Sequence, residues 1–168
     1  MSDLRVDAGM IGILPLEAVN RADASPEAGC VVKVAGGKWL SLQYDNGRID
    51  IRVDNHGTIP VDEDAEWWIG DPCYVLENNI PVGKRGWSFA TDPAPGYWSA
   101  CIASLESPRF GQFTAQPYRL ASGRLGLVAN TMWGDGRFPW TLETCGAYML
   151  SAVIETGDED DDGDDDEL

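Results

Sequence analysis

Cys73 and the carboxylates near it are the residues whose types first suggest chemistry. A cysteine nucleophile acts as the thiolate, so it needs a base or a cation beside it. Its near neighbour in sequence is Asp71, a carboxylate, which opposes ionisation of the thiol. The single histidine, His56, lies in Asp54-Asn55-His56-Gly57, a run with the composition of an exposed turn. A Cys73–His56 dyad requires these segments to meet; a structural thiol and a solvated turn histidine are the simpler expectation. Asp71, Cys73 and Asp135 are the only residues that a small hydrolase-like enzyme could use, and no catalytic residue is assigned.

Metal and cofactor chemistry find no better footing. Cys30, Cys73, Cys101 and Cys145 are widely spaced and form no CxxC pair, so they are expected as reduced, part-buried thiols. Asp158, Asp160, Asp162 and Gly163 match positions 1, 3, 5 and 6 of a calcium-binding EF-hand loop. The sequence ends at Leu168, before the bidentate Glu that such a loop needs at its twelfth position. No phosphate-cradling glycine loop opens a helix. The expectation is no metal and no cofactor.

Aromatic residues are the remaining candidates for contact. Most of the seven Trp are expected in the core. Trp67, Trp68, Trp133 and Trp140 are the candidate contact residues. Trp67 and Trp68 are adjacent, so on a strand they face opposite sides. One of them is then exposed, unless both faces of that strand are covered.

The elements that must position these residues are strands. The 168-residue chain has 19 Gly and 10 Pro, which favours many short strands joined by turns. The expected fold is all-β, mainly an antiparallel sandwich or a partly open barrel, with long loops and little helix. Residues 1–157 form one domain, and 158–168 a disordered acidic tail. Asn46-Gly47 favours a type I′ turn, which sets a hairpin over residues 38–53 with Leu40 facing Val53 and Leu42 facing Ile51. Asp135-Gly136 suggests a second hairpin over residues 124–143, with Trp133 facing Phe138. Pro139 then places its strand at a sheet edge. Further strands are expected at 10–14, 30–34, 67–69, 73–76, 98–105, 118–120 and 147–155, with a short helix over 15–21. Asp71-Pro72 reads as a strand-breaking turn whose carboxylate caps nearby N–H groups. Asp7 and Asp64 each precede a Pro by eight residues, and the two turns recur later, so 1–60 and 61–157 are candidate similar halves.

Charge narrows the partners. Nine of the 28 acidic residues lie in 158–167, leaving 19 acids against 12 bases, net −7, in residues 1–157. An acidic body excludes a basic nucleic-acid face. No apolar run approaches the ~18–20 residues of a membrane span, and Met1–Asp7 has no signal-peptide character. A cytoplasmic location is expected.

Trp68-Ile69-Gly70-Asp71-Pro72-Cys73-Tyr74-Val75 and Trp133-Gly134-Asp135-Gly136 resemble a family of small, uncharacterised β-rich proteins of bacteriophages and bacterial mobile elements. That family carries an IGDPCY element followed by a GDG turn, and Val6-Asp7-Ala8-Gly9 echoes its VDSG-like opening strand. The chain departs from the pattern in its long N-terminal half and at Phe138-Pro139-Trp140. The resemblance spans about residues 64–155 and implies a phage-related origin, host-cell cytoplasm and a β fold; it implies no activity. The leading expectation is a non-catalytic protein-interaction module with an unidentified protein partner. The alternative is an acidic DNA mimic that inhibits a host nuclease or restriction enzyme.

Overall fold

The computed structural model describes residues 2–22, 25–46, 58–77, 96–105, 117–131, 134–145 and 149–156. The chain is mostly β, and its sheets do not close into a barrel. The strands are β1 (Ser2–Val6), β2 (Met10–Pro15), β3 (Gly29–Val34), β4 (Lys38–Asn46) and β5 (Thr58–Val61), then β6 (Ala65–Gly70), β7 (Tyr118–Arg119), β8 (Leu125–Asn130), β9 (Gly136–Cys145) and β10 (Met149–Thr156). One sheet, A, has the order β1-β9-β10-β4-β5; the other, B, has the order β3-β6-β2-β8-β7. All pairs are antiparallel except β4 with β10.

Alternation in the strands builds the layer between the sheets. Leu4 and Val6 of β1, Leu40 and Leu42 of β4, Ile59 and Val61 of β5, and Phe138 and Trp140 of β9 are buried from sheet A. They meet Ile11 and Ile13 of β2, Trp67 and Ile69 of β6, and Leu127 and Ala129 of β8 from sheet B. Successive residues point to opposite faces, so Leu14, Trp68 and Val128 emerge on the far side of sheet B. A second core forms there, under the helix α1 (Tyr97–Leu105), from Ala100, Cys101, Tyr118, Val75 and Leu76. Ser104 is fully buried, and its hydroxyl accepts the N–H of Val128 at 2.9 Å, which fixes α1 on β8.

Several expectations need correction. Residues 98–105 are helical, not a strand. Tyr97, Ala100, Cys101 and Ser104 recur at helical spacing, and two of these are small enough to let the helix lie close on β8. Residues 73–76 are not a strand either, because Pro72–Tyr74 make a single 3-10 turn. The hairpin expected from Asn46-Gly47 fails in register. Leu40 already has Ile59 on one side and Leu150 on the other, so it has no place for Val53. The antiparallel partner of Lys38–Ser41 is β5, and residues 47–57 lie outside those described.

The Asp135-Gly136 hairpin is replaced by a corner. β8 pairs with β2 and β7 in sheet B, whereas β9 pairs with β1 and β10 in sheet A. Both strands carry apolar residues for the same inter-sheet core, and crossing between sheets lets Leu127 and Ala129 face Phe138 and Trp140 across it. β9 is therefore not an edge strand. Pro139 faces Asp3 of β1, while the ladder to β10 begins only at Trp140, so its missing N–H costs no bond on that side. Strands from residues 1–60 and 61–157 interleave in both sheets, and each of the matched prolines, Pro15 and Pro72, stands at the start of a 3-10 turn.

Candidate functional site

The three stretches singled out in the sequence, 6–9, 68–75 and 134–136, converge at one end of the sandwich. β1 and β2 make a corner at Asp7-Ala8-Gly9 that meets the segment entering β9 at Gly134. Gly9 has φ +63°, and a Cβ there would lie 3.4 Å from the Cα of Gly134, so the two corners stack backbone on backbone. Thr131 joins them: its N–H donates to the Gly9 carbonyl at 2.9 Å, and its hydroxyl donates to the Gly134 carbonyl at 2.7 Å.

Gly70 brings β6 into the same corner. It faces Gly12 on β2 and Gly29 on β3, making a row of glycines across sheet B. A Cβ on Gly70 would sit 2.3 Å from the Ala28 carbonyl oxygen, so nothing larger fits without moving backbone. Asp71 follows, fully buried and extended, and Pro72 opens the 3-10 turn. The Asp71 carboxylate accepts the Cys73 N–H at 2.9 Å on one oxygen. On the other it accepts the Asp7 N–H at 2.7 Å and the Ala8 N–H at 3.3 Å. One side chain thus ties the β6 turn to the β1–β2 corner, 64 residues away. Burial pushes the Asp71 carboxyl above its ordinary value, against the downward pull of the N–H groups of Cys73 and Asp7.

Outside this tie lies a polar cluster at the surface. The Tyr74 hydroxyl donates to Asp7. Arg5 donates to both oxygens of the same carboxylate, at 2.8 and 3.3 Å, and its guanidinium sits 5.5 Å from the centre of the Tyr74 ring. The Tyr74 hydroxyl, followed by Arg5, holds the Asp7 carboxyl below its usual range despite some desolvation. Cys73 is a free thiol, half-buried, and burial together with the Asp71 charge pushes it up to about 12. At neutral pH it is a protonated thiol with negligible nucleophilic character. Asp135 is exposed on the neighbouring corner.

The candidate contact residues are placed differently from expectation. Trp67 and Trp68 are 2% and 6% exposed, because β6 is an interior strand with the inter-sheet core on one face and the α1 layer on the other. Trp140 is buried too, and Trp133 lies outside the described residues. These three tryptophans are core, not contact surface. The indole N–H groups of Trp67 and Trp68 have no hydrogen-bond partner among the described residues. Among the described residues, the large apolar side chains that do reach the surface are Val31, Trp39, Trp98 and Leu142. Trp39 is 45% exposed on the outer face of sheet A, opposite in direction to Leu40 and beside Pro60.

Asn46 ends β4, while Gly47, His56 and residues 157–168 lie outside the described residues. Cys30, Cys73 and Cys101 are free thiols. No three metal-ligating side chains gather among the described residues, and none of the described helices is long and apolar enough to cross a membrane. The tie between Asp71 and the β1–β2 corner was not readable from the sequence. Its only signal was the presence of Asp7 and Asp71 in separate short elements. No family model, curated protein or solved structure matches the chain.

Proposed function

We propose that the protein is a non-catalytic interaction module that holds a protein partner through the outer face of sheet A around Trp39. The observation that carries this reading is how the chemistry-bearing groups are used. Asp71 is taken up by three backbone N–H groups, Asp7 by Tyr74 and Arg5, and Cys73 is kept protonated. They act as ties that set the corners of the sandwich. The largest aromatic surface on a sheet face among the described residues is instead Trp39, and half-exposed tryptophans of this kind are frequent anchors of protein contacts. An accessory role in a phage or mobile element rests on the resemblance of residues 68–75 and 133–136 to the family described above.

The test is capture of partners from bacterial lysate by the immobilised full chain and by Trp39→Ala. The variant should keep the wild-type melting temperature, since the side chain is half in water, and lose the captured protein. Capture that survives Trp39→Ala unchanged would overturn this placement. Capture that instead disappears between low and high salt, with Trp39 irrelevant, would favour the acidic DNA-mimic reading.

A further inference from the structure

We propose that a cavity on the opposite side of the molecule from Trp39 binds a small organic cation, an ammonium or guanidinium group carried on an apolar body. This goes beyond the interaction module and does not depend on it. The cavity has a volume of about 610 Å³ and lies between α1, β7 and the segments that follow β2 and β6. Small-molecule sites fall between roughly 300 and 1,000 Å³ and combine apolar walls with a few placed polar groups. Leu76, Ala100, Tyr118 and Leu120 supply apolar wall, and among the described residues Glu17 and Glu77 are the charged ones that line it, with no basic residue.

The two carboxylates are not equivalent. Glu17 accepts the Ser122 hydroxyl and lies 3.7 Å from Arg124, so its charge is already compensated. Glu77 has no ion-pair partner among the described residues, yet its backbone is fixed at both ends. Its N–H donates to Asn20 Oδ1 at 2.6 Å, and its carbonyl accepts the Tyr97 N–H at 2.8 Å. The backbone that carries this exposed carboxylate is thereby fixed at the rim of an apolar space. The Tyr118 ring lies across Gly126, where a Cβ would come within 2.8 Å of it, so a larger residue there would displace the ring. Tyr118 is 7% exposed, so its ring is a fixed part of the wall. The net charge of −16 draws cations toward the molecule and repels anions.

The test is a two-dimensional NMR titration of the full chain with 4-phenylbutylamine. 4-Phenylbutan-1-ol and 4-phenylbutyrate serve as the neutral and anionic matches. The amine should give saturable shifts at Ala100, Tyr118 and Leu120 and bind roughly fivefold tighter than the alcohol, with the carboxylate weakest. Glu77→Gln should bring the amine to the alcohol's affinity. Glu66→Gln, at an exposed carboxylate outside the cavity, should leave the difference intact. Ala121→Trp, at an exposed turn position in the lining, should abolish binding of amine and alcohol alike without altering amide shifts in sheet A. The proposal is overturned by equal affinity for all three probes, or by no saturable shift with any. It is equally overturned by shifts confined to other parts of the chain, or by Glu66→Gln and Glu77→Gln acting alike.

Discussion

Replacing Asp71 by Ala removes the one side chain that joins the β6 turn to the β1–β2 corner. Two of its bonds are short, from Cys73 N–H at 2.9 Å and Asp7 N–H at 2.7 Å; the 3.3 Å bond from Ala8 adds little. A hydrogen bond to a charged acceptor contributes about 1.5–3 kcal/mol, so the gross loss is about 3–6 kcal/mol. Part of this is offset, because the variant no longer buries a charge whose desolvation already raises its pKa. The expected net cost at pH 7 is about 2–3 kcal/mol, or a fall in Tm of roughly 5–10 °C for a chain of this size. Urea denaturation followed by tryptophan fluorescence reads the first number, with an unchanged m-value. Amide hydrogen exchange should speed up most at Asp7, Ala8 and Cys73, and in the β4–β10 ladder by no more than the global loss of stability. A cost under about 0.5 kcal/mol, within the range of ordinary surface substitutions, or unaltered exchange at Asp7, would refute the tie.

Three other outcomes follow from the same geometry. The folded-state pKa of Asp71 stands above the ordinary 3.8, so the part of the stability linked to its protonation is complete below 3.8 and is lost as pH rises through the folded value, while the bonds its carboxylate accepts remain. Wild type should therefore lose stability relative to Asp71→Asn on raising the pH from 3.5 to 7, and a gap that stays constant or widens in favour of wild type contradicts the shift. Gly70→Ala should cost about 3 kcal/mol or more, because its methyl would meet the Ala28 carbonyl at 2.3 Å; a near-neutral variant would mean the strands are not that close. Trp67→Ala should cost about 3–5 kcal/mol. Trp67→Phe should be far milder, since it removes an indole N–H that has no partner; equal costs would show that the N–H is bonded.

The sequence was legible where one residue's neighbours decide the structure. Strand alternation placed β2, β3, β6 and β10 and put Leu40 and Leu42 on one face. It failed where the decision is made by distant residues. Asp135-Gly136 has the local chemistry of a hairpin, yet β9 leaves for the other sheet because Phe138 and Trp140 are buried across from Leu127 and Ala129. The short apolar run of residues 98–105 fits a strand as well as a helix, and only the surface of β8 selects the helical stripe of Tyr97, Ala100, Cys101 and Ser104. The site was half legible. Asp71-Pro72 announces a turn with a capping carboxylate, but nothing local says that the N–H groups it also accepts are those of Asp7 and Ala8. The adjacent tryptophans were ambiguous for a physical reason: a strand hides both faces only when layers cover both, and layers are a property of the whole chain.

On the function proposed above, the converging motifs hold the fold together while a partner is bound elsewhere. Capture of the partner by three forms of the full chain tests it most directly: wild type, Cys73→Ala/Asp135→Ala, and Trp39→Ala. The double variant should capture fully and Trp39→Ala should lose capture, with all three folded. Loss with the double variant and retention with Trp39→Ala would contradict it and return the corner of Cys73 and Asp135 to the centre of function.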